Sequence, residues 1–123
     1  GIAAINVTLE EDLPGQAYRK GRYLLGELIA LQIRYDRLLK EARGKGLLLG
    51  MEFVNTEIGY KVVSGLFKRG VLVAGTLTNS RVVRIEPALN IPDQMIDEIL
   101  ERLEDTLKDI DRNTTTIAFE EED

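Results

Sequence analysis

Two stretches decide how this chain folds: ArgGlyLysGlyLeuLeuLeuGlyMetGluPhe at 43–53, and GlyValLeuValAlaGlyThrLeuThrAsnSerArgValValArgIleGluProAlaLeu at 70–89. Residues 46–54 are too short and too apolar for an exposed helix. They read as a mostly buried strand, with Gly50 marking a bulge or a close backbone approach. Residues 71–74 read as a short strand, 75–80 as a polar turn and 82–86 as a further strand. Pro87 closes that strand because it has no N–H to give to a ladder.

Helical spacing surrounds these strands. Leu24, Leu25, Leu28, Leu31, Tyr35, Leu38 and Leu39 recur every three or four residues, which predicts one long helix over 15–42. Pro14 suits its first turn, and Gly44 is placed to end it. Gly21 and Gly26 each lower its helix propensity by about 1 kcal/mol relative to Ala. Asn55 or Thr56 caps a second helix whose face is Ile58, Val62, Leu66 and Phe67, with Gly70 as its stop. Pro92 and Asp93 open a third helix carrying Ile96, Ile99, Leu100, Leu103, Leu107 and Ile110. Residues 2–9 read as the end of another helix. The order is helix, strand, helix, strand, strand, helix. The expected fold class is α+β: two layers, a small mostly antiparallel sheet with helices on one face. Residues 1–123 form one domain in this reading, and 111–123 a flexible acidic tail.

Composition narrows the function. The net charge is −5, from 16 basic and 21 acidic residues. That argues against nucleic acid as a partner, since nucleic-acid binders present a basic face. The chain has no cysteine and no histidine. Disulfides, thiolate sites, Ser-His-Asp triads and His-based zinc sites are therefore impossible within it. No apolar run approaches the roughly 20 residues that span a bilayer, so no membrane partner is expected. A cysteine-free chain of ordinary globular composition fits a cytoplasmic location.

Arg84 is the candidate site residue. Side chains alternate along a strand, so if Val83 and Ile85 face the core, Val82, Arg84 and Glu86 face the other way. A guanidinium held there can grip a carboxylate through two parallel hydrogen bonds. The bland alternative is that Arg84 pairs with Glu86, Glu52 or solvent on an exposed sheet face. Gly44, Gly46 and Gly50 lack the GxGxxG spacing and precede a strand, which speaks against a phosphate cradle. Lys45 and Lys61 sit at a turn and on a polar helix face, where neither has the desolvation that activates a Schiff-base lysine. The carboxylate pairs Glu10-Glu11 and Glu104-Asp105 fall in caps or polar faces and give no support to a glycosidase reading.

In this order, the ArgGlyLysGly junction, MetGluPheVal, LysArgGlyValLeuVal and ArgIleGluProAlaLeu resemble the C-terminal small domain of class III (fold type I) PLP-dependent aminotransferases. The run ValLeuValAlaGlyThrLeu before ArgIleGluPro is most similar to the putrescine, ornithine and acetylornithine aminotransferase group. The resemblance spans roughly residues 2–110. It implies that Arg84, at the family's Arg-x-x-Pro-Pro-Leu segment, binds the substrate carboxylate. Ala88 replaces that segment's second proline, implying a less rigid strand exit. The resemblance also implies pyridoxal 5′-phosphate in a full-length parent, with no cofactor on this piece, which has no catalytic or cofactor-binding residue of its own. The implied partners are a large PLP-binding domain of the same chain, an amino acid or 2-oxo acid, and a second subunit in a homodimer. Beside this stands an autonomous carboxylate-binding α+β module, and a purely structural domain in which Arg84 affects only stability. A fragment would also expose an apolar patch on the sheet face bearing Val82.

Overall fold

The computed structural model describes residues 13–71, 74–75, 81–85, 87–88 and 90–122. The expected helix end at 2–9 and the turn at 76–80 lie outside them, as do positions 72–73 of the expected strand. The described elements are α1 (Leu13–Arg34), β1 (Leu39–Lys45), β2 (Leu48–Phe53), α2 (Thr56–Lys68), β3 (Ala74–Gly75), β4 (Val82–Ile85) and α3 (Asp93–Glu122). The strands form one antiparallel sheet in the order β1-β2-β4-β3, and the helices cover one face of it. The class is α+β in two layers.

The first helix is shorter than its apolar spacing predicts. It ends at Arg34, and residues 39–45 leave it to become β1. Lys, Glu, Ala and Arg are good helix formers, so local propensity favours continuation. Pairing with β2 overrides it, because a two-strand ladder buries Leu39 and Ala42 against the helices and satisfies backbone groups at once. The break is closed locally: the Tyr35 carbonyl accepts from Leu38 N and Leu39 N at 2.9 Å each. The Gln32 side chain then bridges α1 to β1, donating to Lys40 O at 3.0 Å and accepting from Ala42 N at 3.2 Å.

A two-residue turn, Gly46-Leu47, joins β1 to β2, with Lys45 opposite Leu48. Gly46 has φ +57, as a tight hairpin turn of this kind demands. Gly21 explains how closely α1 lies on that turn: a Cβ there would come 2.0 Å from the Gly46 carbonyl oxygen. Its place in the helix is set by packing rather than by propensity.

Asn55 caps α2, its Oδ1 accepting from Ile58 N at 2.8 Å. At the other end Val71 N donates to Leu66 O at 2.8 Å and Gly70 N to Phe67 O at 3.0 Å, a Schellman closure. Gly70 supplies the left-handed residue it requires, at φ +82. Ile58, Val62 and Leu66 are buried, but Phe67 is 67% exposed, off the face expected for it. The burial stripe advances by four residues, and Phe67 stands about 100° beyond Leu66. On α3 the buried stripe is Ile96, Leu103, Leu107 and Ile110, with Ile99 and Leu100 half-buried beside it. The helix continues through 111–122, the stretch read from sequence as a tail.

The core is one cluster. Leu49, Met51 and Phe53 of β2 and Val83 and Ile85 of β4 face Leu24, Leu28 and Leu31 of α1, the buried stripe of α2 and that of α3. Ion pairs rim it: Arg34–Glu104 at 2.7 Å, Arg37–Asp111 at 2.9 Å, and Arg69–Asp109. Exposed pairs of this kind add little, so burial of apolar area carries the stability.

Met51 is fully buried at the centre, so Met51→Ala should lower the unfolding free energy by about 2–5 kcal/mol in denaturant titration. Leu48→Ala, one face over and 59% exposed, should change it by about 0.5 kcal/mol or less. Tyr23 provides a pH test. Its hydroxyl donates to Asp97 Oδ1 at 2.5 Å, and that hydrogen bond, helped by the nearby carboxylates, pushes its pKa up to about 12. The folded pKa lies above the ordinary value near 10. Its contribution is therefore full below pH 10 and is lost as pH rises from 10 to 12. The stability difference between the wild type and Tyr23→Phe should narrow across that window, and a late phase in the 295 nm absorbance titration should vanish in the variant.

Candidate functional site

The helix-covered face and the open face of the sheet divide by strict alternation. Leu49, Met51 and Phe53 are buried while Leu48, Gly50 and Glu52 are not. Val83 and Ile85 are buried, Arg84 is exposed and Val82 half-buried. Arg84 thus lies on the open face, as the alternation predicts, while Glu86 is outside the described residues.

Register gives the site its shape. Arg43 of β1 pairs with Gly50 of β2, Gly50 with Arg84 of β4, and Arg84 with Ala74 of β3. One row across all four strands therefore places a glycine between two arginines. The next row sets Glu41 against Glu52 and Glu52 against Val82. Arg43 is engaged by carboxylates, at 2.8 Å from Glu41 and 3.6 Å from Glu52, and Lys40 lies 3.4 Å from Glu52. Glu52 is therefore committed to β1. Among the described residues Arg84 has no ion pair, so the pairing with Glu52 weighed from sequence is not formed. The open face here is charged around Arg43, Glu41 and Glu52, with Leu48 exposed at its edge. Val82 itself is half-buried, and positions 72–73, 76–80 and 86, on which the apolar patch expected around it turns, lie outside the described residues.

Beyond β4 the chain turns at once. Pro87 is half-buried, and the Ala88 carbonyl accepts from Ile91 N at 3.0 Å.

The other candidates separate from Arg84. Gly44 and Gly46 belong to a strand and a hairpin turn that open no helix, so they form no phosphate cradle. Each of the six lysines is exposed or engaged. Lys20 donates to Ile91 O at 2.6 Å, Lys61 pairs with Glu57 at 3.3 Å within α2, and Lys40, Lys45, Lys68 and Lys108 are exposed. None has the desolvation a Schiff-base lysine needs, so the described side chains do not fit pyridoxal phosphate. Glu104 is held by Arg34, and Glu10 and Glu11 lie outside the described residues. A cleft of about 790 Å³ lies between α1 and α3, lined by Arg19, Lys20, Tyr23, Asp93 and Asp97 among others. Its described lining comes from α1, Pro92 and α3 and does not include Arg84. Sequence reasoning did not identify the pairing of Gly50 with both arginines, because register depends on β1, which the helical spacing concealed.

The family model described as aminotransferase class-III matches residues 1–107. A lysine aminotransferase from M. tuberculosis superposes with a TM-score of 0.79 at 24% identity, over 84% of this chain and 23% of its own. A transaminase solved with L-alanine gives 0.79 at 29% identity, over 89% and 27%. Ornithine aminotransferase from Toxoplasma gondii ME49 gives 0.77 at 26%, over 88% and 25%. The chain spans about a quarter of the length of these proteins. A family match over most of its length, with the same fold in these solved structures, shows that the chain belongs to the class III aminotransferases.

Proposed function

We propose that this chain is the C-terminal small domain of a PLP-dependent aminotransferase and that Arg84 binds the substrate carboxylate. The enzyme moves an amino group from an amino acid or diamine of the ornithine, acetylornithine or putrescine kind to a 2-oxo acid. The observation that carries the reading is an exposed guanidinium in mid-sheet, on the open face, with Glu52 of the adjoining row already paired with Lys40 and Arg43.

Arg84 has one task here. Its planar fork offers two parallel N–H donors to a carboxylate, which fixes both the position and the orientation of the bound acid. The strand holds the Arg84 backbone between β2 and β3, so little backbone freedom is lost on binding. A diamine donor lacks a carboxylate, but its oxo-acid acceptor has one, so the arginine serves that half of the reaction. The chain has no histidine and no desolvated lysine, so it contributes binding rather than proton transfer. The cofactor and its lysine are assigned to a large domain of the same polypeptide, in a cytoplasmic homodimer.

In that enzyme Arg84→Ala should raise KM for the oxo acid by about 10- to 150-fold, equivalent to the roughly 1.5–3 kcal/mol of a charge-assisted hydrogen bond. Arg84→Lys should recover only part of the loss, because an ammonium cannot reproduce the fork. Steady-state kinetics with both substrates varied checks this. Unchanged KM in both variants would remove Arg84 from the site. Tight binding of a 2-oxo acid by residues 1–123 alone would favour an autonomous carboxylate-binding module.

A further inference from the structure

We infer that Gly50 is a specificity-determining residue of the Arg84 site, its missing side chain leaving a bare strip of β2 over which the bound acid lies. The inference rests on the reading of Arg84 given above.

Packing within the domain does not call for glycine at position 50. A Cβ at Gly44 would meet Leu49 Cδ2 at 2.3 Å, and one at Gly65 would meet Thr106 Cγ2 at 2.6 Å. At Gly50 an added Cβ meets nothing within 4 Å among the described residues, and Gly50 is not among the residues with positive φ. A side chain would fit and would favour the strand, because glycine is a poor strand residue. Gly50 is also not a bulge: its register with β1 and β4 is regular.

The space it leaves open lies in the row that contains Arg84. Cross-strand neighbours in an antiparallel sheet set their Cβ atoms about 4.5–5.5 Å apart. A branched side chain at 50 would therefore stand between the stems of Arg43 and Arg84 on the open face. Without one, the surface beside Arg84 is backbone, low and flat, and bounded on its far side by Arg43, whose charge is answered by Glu41 and Glu52. An acid bound through Arg84 can then lay its carbon skeleton across β2 without meeting a side chain or a second free cation. Gly26 is the internal comparison. It too has open space at its Cβ, but it is exposed on α1, away from the sheet.

The test is kinetic and uses the full-length enzyme that carries this chain. Gly50→Ala, Gly50→Val, Gly26→Ala and Arg84→Ala are compared for KM and kcat toward the oxo acid, and for Tm. Gly50→Val should raise KM at least tenfold, Gly50→Ala less, with Tm unchanged or higher in both. Gly26→Ala should leave KM unchanged. If Gly50→Val keeps KM within about twofold while Arg84→Ala raises it, the inference fails and the Arg84 site stands. If Gly50→Val lowers Tm with KM unchanged, another part of the enzyme covers position 50, and the inference again fails. If Arg84→Ala leaves KM unchanged, the carboxylate site itself fails, and Gly50 falls with it.

Discussion

The pairing of β2 with β4 is the constraint on which the rest of the molecule depends. Leu49 sits opposite Ile85 and Met51 opposite Val83, so four buried side chains meet on one face while Gly50 and Arg84 meet on the other. Strand alternation has a period of two, so a slip of one residue would bury Arg84 and expose Val83 and Ile85. The cost of an unpaired buried guanidinium, added to the loss of apolar burial, rejects that slip decisively. The same register that builds the core therefore sets the cation on the open face. Fold and site are consequences of one ladder.

The helices make that ladder one-sided. α1 lies close enough to the β1–β2 turn that Gly21 can carry no side chain, and Gln32 joins the helix to β1 through two backbone groups. α2 is fixed at both ends, by the Asn55 cap and by the Schellman closure at Gly70. With three helices on one side, the other side is left with a polar row. Its negative groups are concentrated on β1 and the adjoining part of β2, and the arginine without an ion pair among the described residues is on β4. This asymmetry of charge lets one guanidinium act on an external carboxylate while the other stays structural.

Much of this was legible from residue order. The alternation around Arg84, the Asn55 cap, the Gly70 stop and the start of α3 beside Pro92 follow from local chemistry, and the structure shows each. Residues 38–45 were not legible, because LeuLeuLysGluAlaArgGlyLys satisfies helical spacing as well as strand burial. Only the partner strand decides between them. The loss propagated: without β1 there is no row joining Arg43, Gly50 and Arg84, so from sequence Gly50 reads as either a bulge or a close backbone approach, and only the regular register rules out the bulge. Phe67 was misplaced for a smaller reason, since its neighbour Leu66 fills the buried position and the two cannot face the same way on a helix.

The central claim is that the open face of this sheet presents Arg84 to the carboxylate of an amino or oxo acid. A crystal structure of the full-length enzyme with a bound 2-oxo acid tests it most directly. The account predicts two carboxylate oxygens on the Arg84 guanidinium, with the carbon chain passing over Gly50. A carboxylate held by another residue, with Arg84 turned to solvent or paired with Glu86, would contradict it.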